Sequence, residues 1–201
     1  MTDRSIKKIK KIEELLISVG IDIAKKGEGA LFVVSDNCKY KKMLKQRFEP
    51  FSIFEPGAKK ILLSLAIIDG AVIINKEGMV VDYGAKIESK RVFREYGTRH
   101  AAAYSASLEK DSLSVLISQE EKKIKIFRQG KITVQIDALE KNVEKKVREA
   151  NEILESVGVG TLSTIGVSAL APGLGIAVVP GIILLGVPYY FFKKYIKNKF
   201  K

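Results

Sequence analysis

Two short segments of this 201-residue chain combine residue types that can handle phosphate. The first is Asp69-Gly70-Ala71, placed just before the apolar run Val72-Ile73-Ile74. An acid at the mouth of a strand, followed by glycine, lets the backbone approach a ligand closely, because no Cβ intervenes. The same residues also describe a plain turn into a strand. The second is Gly97-Thr98-Arg99-His100, which leads into the alanine-rich Ala101-Ala102-Ala103. A helix that starts here offers free N–H groups and positive dipole to phosphate oxygens, and arginine adds a two-pronged donor. Thr98 is equally readable as a simple N-cap, and His100 as a core histidine with its hydrogen bonds satisfied.

Other chemistries drop out. The chain has no Walker loop and no G-x-G-x-x-G opening a helix after a strand. One cysteine, Cys38, and one histidine exclude a disulfide framework and a Cys/His zinc site. A Ser-His-Asp triad would have to use His100, whose setting is unlike that of a general base.

The two segments need a scaffold, and periodicity supplies one. Ile6, Ile9, Ile12, Leu15, Leu16, Val19 and Ile23 recur at helical spacing and predict an amphipathic helix over 5–26, ended by Gly27 and Gly29. Ala30–Val34, Ala71–Ile74 and Leu113–Ile117 are short continuous apolar runs, as in strands buried on both faces. Met79–Tyr83 returns from a turn at Asn75–Gly78, and Ile124–Phe127 with Ile132–Ile136 flanks Gln129-Gly130 as a second hairpin. Helices are expected over Ala58–Ile68, from Gly97 to Leu108, and over Ala138–Ser156. Interleaved strands and helices give an α/β class with a mixed central sheet flanked by helices.

The two motifs, about thirty residues apart, resemble the diadenylate cyclase (DAC) domain, the nucleotide-binding domain of DNA-integrity-scanning and membrane-bound cyclic di-AMP synthases. The resemblance runs over about residues 25–137, from Gly29-Ala30-Leu31-Phe32-Val33-Val34 through Ser118 to the Gly130 hairpin. It implies condensation of two ATP into cyclic di-AMP with release of two pyrophosphates, across two subunits facing each other. On this resemblance Asp69 activates the 3′-hydroxyl with help from Mg²⁺ or Mn²⁺, while Gly70 and Ala71 lie against the nucleotide. Ile87 falls beside the adenine, Thr98, Arg99 and His100 hold ribose and phosphates, and Ser118 touches the phosphates. The catalytic set is thus Asp69, Arg99 and His100, and the metal ligands are Asp69 and Glu120. Two departures stand out. Many members read Arg-His-Arg where this chain has Ala101, leaving Arg91, Arg94 and Arg128 as candidates for the missing phosphate contact. The residue after Ser118, often acidic in membrane-bound relatives, is Gln119. The alternative to an active cyclase is a protein at the membrane that binds ATP or cyclic di-AMP with reduced or no turnover.

The net charge is +12, and residues 157–201 contribute five lysines and no acid to it. The first 156 residues keep 30 basic against 23 acidic side chains, a net +7. A negatively charged partner is therefore expected, and no nucleic-acid motif accompanies the basic balance. The N-terminal lysines around Ile6, Ile9 and Ile12 do not read as a signal peptide. From Val157 to Phe192 no residue is charged; Tyr189-Tyr190-Phe191-Phe192 and Lys193-Lys194 then resemble an interfacial girdle with a basic anchor. The expected organisation is a cyclase domain over 1–137, a charged connecting helix over 138–156, and a tail over 157–201. The tail's apolar helical segment, 157–192, a kinked span or a shallow hairpin turning near Pro172-Gly173 or Pro180-Gly181, is expected to hold a homo-oligomeric cyclase on the cytoplasmic face of the membrane; the alternative is a glycine-rich soluble subdomain buried against a partner.

Overall fold

The structure, a computed structural model, describes residues 3–45, 47–89, 97–143, 145, 170–171, 176–179 and 182–185. The chain opens with helix α1 (Asp3–Lys25), then β1 (Ala30–Val34), two short strands β2 (Tyr40–Lys42) and β3 (Phe51–Ser52), and helix α2 (Ala58–Ala66). Next come β4 (Ala71–Ile74) and β5 (Met79–Ile87), helix α3 (Thr98–Ala106), and the strands β6 (Leu113–Ser118), β7 (Lys123–Arg128) and β8 (Lys131–Asp137). Three further strands are described in the tail: β9 (Leu170–Ala171), β10 (Ile176–Val179) and β11 (Ile182–Leu185).

Helix α1 ends as its sequence predicts. Gly27 has φ +79°, its N–H donates to Ala24 O, and the Glu28 N–H donates to Ile23 O, which is the Schellman pattern of a glycine C-terminus. β1 then enters the middle of the sheet, parallel to β4 and antiparallel to β6, so Phe32 lies between Val72 and Val115. Among the described residues the strand order is β2-β5-β4-β1-β6-β7-β8-β11-β10-β9, with β3 beside β5.

Alternation along β1 divides the core. Ala30, Phe32 and Val34 join Ile12, Leu16, Val19 and Leu62 on the side covered by α1 and α2. Leu31 and Val33 join Ala71, Ile73, Ala85, Leu116 and the α3 residues Ala103 and Ala106 on the other. The mixed α/β sheet flanked by helices is therefore the observed fold. α1 can lie close to the sheet because Gly20 carries no side chain: a Cβ there would stand 3.1 Å from Ile124 Cδ1.

The tail differs from expectation. In place of an apolar helix, the described parts of 157–192 are strands: β11 runs parallel to β8, β10 pairs antiparallel with β11, and β9 with β10. Among the described residues no helix is long and apolar enough to cross a membrane. Ile176–Val179 and Ile182–Leu185 are four-residue apolar runs separated by Pro180-Gly181, and periodicity alone cannot tell such runs from pieces of a buried helix. Proline breaks a helix interior, and the outer edge of β8 accepts the strand. The connecting helix expected over 138–156 does not begin at Ala138: residues 138–142 form turns, with Asn142 at φ +60°. Val143 and Lys145 are helical, and 144 and 146–156 lie outside the described residues.

Candidate nucleotide site

β4 begins just after Asp69-Gly70, and the start of α3 faces the same end of the sheet. Gly70 has φ +101°, and a Cβ on it would stand 2.7 Å from Gly84 C and 2.8 Å from Ala85 N. Its glycine thus serves the packing of β4 against β5, where the sequence suggested close approach to a ligand. The Asp69 carboxylate accepts the Gly70 N–H through Oδ1 at 3.0 Å and stays on an exposed rim.

Below that rim is a cleft of about 320 Å³, at the small end of pockets that take a small molecule. Leu31, Ala71, Ala85, Ile87 and Ala102 give it an apolar floor, and Asp69, Lys86, Thr98 and Arg99 line its polar side. A flat aromatic ring system fits such a floor. A second cleft, about 140 Å³, lies between Gly97-Thr98-Arg99-His100 and Ser118-Gln119-Glu120-Glu121. Thr98 and Arg99 line both.

The N-cap of α3 is Gly97, which makes no side-chain cap bond, so Thr98 is the first helical residue rather than a capping one. The first helical N–H to find an acceptor within the helix is that of His100, which donates to Gly97 O; earlier ones point out of the helix start, the arrangement that suits an anion. Arg99 is half-buried, and among the described residues its buried Nε has no hydrogen-bond partner. Its Nη1 occupies space left by Gly29, where a Cβ would stand only 3.1 Å away. Ser118 is buried and its Oγ accepts the Glu121 N–H at 3.3 Å, which shapes the turn after β6.

His100 is half-buried. Its Nε2 lies 3.2 Å from Nζ of Lys125, which also donates to Glu121 Oε1 at 2.6 Å. Burial, then the Lys125 charge, pulls the His100 pKa below the ordinary histidine value, against the weaker opposite pull of Glu121 and Glu120. Glu121 goes the same way: its burial resists ionisation, but the hydrogen bond and charge of Lys125 prevail and keep its pKa low. Burial and the neighbouring Lys125 thus favour the neutral imidazole.

The family model described as "DisA bacterial checkpoint controller nucleotide-binding" (DAC) matches residues 20–132, more than half of the chain. The chain belongs to the DAC family. A Methanocaldococcus jannaschii protein named diadenylate cyclase is 32% identical over 148 residues, 68% of this chain and 48% of that protein. A Haloferax volcanii protein of the same name is 26% identical over 139 residues, 61% of this chain and 51% of that one. The chain thus spans about half the length of the curated relatives it matches. Among solved structures, DacA from Staphylococcus aureus aligns with TM-score 0.41 at 21% identity, over 65% of this chain and 85% of that one.

In this DAC domain the residues singled out by sequence fall into the two joined clefts. Asp69, Gly70, Ala71 and Ile87 line the larger, His100, Ser118 and Glu120 the smaller, and Thr98 and Arg99 both. The proposed metal pair is not brought together in one cleft. Asp69 and Glu120 line different ones, and among the described residues no three His, Cys, Asp or Glu side chains group to hold an ion. Asp69 alone suits Mg²⁺ or Mn²⁺ only with substrate phosphates and water completing the shell, a usual arrangement for Mg²⁺.

Of the arginines considered as a substitute at Ala101, Arg128 is engaged elsewhere: its Nη2 donates to the buried Glu13 of α1 at 3.1 Å. Arg91 and Arg94 lie outside the described residues. Ala101 itself is buried. The cation that the structure brings to His100 is Lys125. Sequence reasoning missed it, along with Glu121 and the space-making role of Gly29.

Proposed function

We propose that the chain condenses two ATP molecules into cyclic di-AMP and releases two pyrophosphates. The observation that carries this reading is the junction at Thr98 and Arg99 of an apolar-floored cleft, rimmed by Asp69, with a cleft at a helix N-terminus. Membership of the DAC family supports it. Adenine lies on Ala71, Ala85 and Ile87, and the triphosphate turns past Arg99 toward the start of α3. Each 3′-oxygen attacks the α-phosphorus of the other ATP; a P–O bond forms, the bond to pyrophosphate breaks, and the hydroxyl proton passes to Asp69. Arg99 and the α3 N–H groups stabilise charge on the phosphoryl oxygens, and this chemistry depends mainly on such positioning and neutralisation. Asp69, together with the substrate phosphates, would hold a divalent ion, which would supply Lewis-acid activation of the hydroxyl and charge neutralisation.

One subunit holds one ATP, so the reaction needs a second copy of the chain facing the first, and specific activity falls on dilution below the dimer's dissociation constant. Lys193 and Lys194, which follow the uncharged 157–192 stretch, hold the protein to the cytoplasmic face of the membrane by attraction to anionic lipid. Recovery of the full chain from the aqueous phase in the presence of anionic lipid would contradict that attachment.

The test is incubation with ATP and Mg²⁺ or Mn²⁺, with cyclic di-AMP detected by chromatography. Asp69→Asn keeps the shape but cannot act as base or anionic ligand. It should lower turnover about 10³-fold or more while ATP still binds. Near wild-type turnover by Asp69→Asn refutes its role, and ATP binding without product in the wild type would make the domain a nucleotide sensor.

A further inference from the structure

β7 carries lysine where its pattern predicts a solvent-facing residue. Ile124 and Ile126 point to the α1 side of the sheet, and Phe127 packs with the α3 side. Lys125 is 2% exposed. Burying an ammonium costs more than an apolar side chain of similar length would, and replacing a buried ion pair by well-packed apolar residues is often neutral or stabilising. Fold stability therefore gives no account of Lys125; its contacts do. It stands between His100 Nε2 and Glu121 Oε1, directly behind the smaller cleft that both of those residues line.

The geometry points to Lys125 as a positioning residue of the nucleotide site, which fixes the tautomer of His100 and neutralises Glu121 beside the incoming phosphates. This rests on the cyclase reading above. A lysine ammonium has three donors and no acceptor, so at 3.2 Å Nε2 of His100 has to be the acceptor. The neutral ring then carries its proton on Nδ1, the reverse of the tautomer that histidine prefers in water. His100 is thereby fixed as a donor at Nδ1 in a cleft meant for acceptor oxygens. The charge argument is independent of the tautomer. The described lining of that cleft includes two acids, Glu120 and Glu121, and one arginine, Arg99. Without Lys125, Glu121 would keep only the looser ion pair with Lys123 at 3.8 Å; with it, Glu121 is also held at 2.6 Å.

The chain has one histidine, so ¹⁵N-histidine labelling gives one pair of ring signals without assignment work. At neutral pH the full-length wild type should show a protonated Nδ1 and a bare Nε2. Lys125→Met should move the proton toward Nε2 and raise KM for ATP about tenfold, with kcat less affected. Lys125→Arg, which keeps donors and charge, should restore most of both. A thermal melt reports whether each variant folds. If Lys125→Met does not fold, the wild-type spectrum and Lys125→Gln, whose amide can still donate to Nε2, carry the test. A wild-type ring protonated on Nε2, or ring signals unchanged in a folded Lys125→Met, overturns the inference. The spectra need no turnover. Their outcome therefore stays separate from failure of the cyclase reading, which would appear as absent product with the Nδ1 tautomer intact.

Discussion

Gly29→Ala separates the position of Arg99 from the stability of the fold. Gly29 has an ordinary backbone conformation, with no positive φ to defend. An added Cβ would stand 3.1 Å from Arg99 Nη1, 3.2 Å from Gln119 Cβ and 3.3 Å from Ile117 O. The last two belong to a strand end and the turn after it, and cannot yield easily. The guanidinium is the far end of a flexible side chain, so it moves by a few tenths of an ångström or swings out of its seat. Alanine restricts the unfolded chain and returns about 0.4–1 kcal/mol, which offsets strain of similar size against Gln119 and Ile117. The site loses part of a charge-assisted hydrogen bond, whose full worth is about 1.5–3 kcal/mol. Losing half to all of that weakens ATP about 4- to 150-fold. Isothermal titration with ATP, beside a thermal melt, measures both quantities in one preparation. An unchanged melting temperature with weaker ATP binding is expected. Unchanged affinity in a folded Gly29→Ala would show that Arg99, as seated here, does not hold the phosphates. A collapse of the fold would show that the contact with Ile117, rather than the one with Arg99, dominates.

Gly70→Ala should behave in the opposite way: φ is +101° and the new Cβ meets backbone at 2.7 Å, so stability should fall by about 2–3 kcal/mol, roughly 5–10 °C in Tm. A variant that melts like the wild type refutes the packing role given to this glycine. Burial, with the charge of Glu109 second, pushes the Cys38 thiol up to about 11. At pH 8 only about one thiol in a thousand is then ionised, and iodoacetamide should react about a hundredfold more slowly than with an ordinary exposed thiol. The rate should keep rising about tenfold for each pH step up to pH 10; a plateau near pH 9 would contradict the shift.

What was legible in the sequence was whatever a short window can hold. β1, β4 and β6 were visible because strands buried on both faces read as unbroken apolar runs, and they are the ones that meet at the sheet centre. β2 was not: Tyr40-Lys41-Lys42 is polar and largely exposed, and it becomes a strand only because β5 runs on to Ile87 and offers Ala85–Ile87 as partners. The tail failed for the converse reason. An uncharged stretch long enough for a bilayer is also long enough for several four-residue strands, and the prolines that interrupt it mark where one ends.

The site divides along the same line. Asp69 and the Gly97–His100 segment were visible because each is a local device, an acid at a strand mouth and a cation at a helix start. Lys125 was invisible because Lys123-Ile124-Lys125-Ile126 alternates like a strand with one wet face. That face is wet at Lys123 and covered at Lys125, where α3 lies across it. α3 can lie that close because it is built from Ala101, Ala103 and Ala106 on its buried side. The alanines that make the third position of the motif look deficient in charge are thus the ones that bring a strand-borne lysine within reach of His100. A cation missing from the helix and a cation present on the sheet are two consequences of one packing choice, and Ala101→Arg tests it. Its guanidinium would have to enter the buried space under α3, so it should lift the helix and break the Lys125–His100 contact instead of adding a phosphate ligand. Stronger ATP binding by a folded Ala101→Arg, with the His100 ring signals unmoved, would show that the two cations are independent.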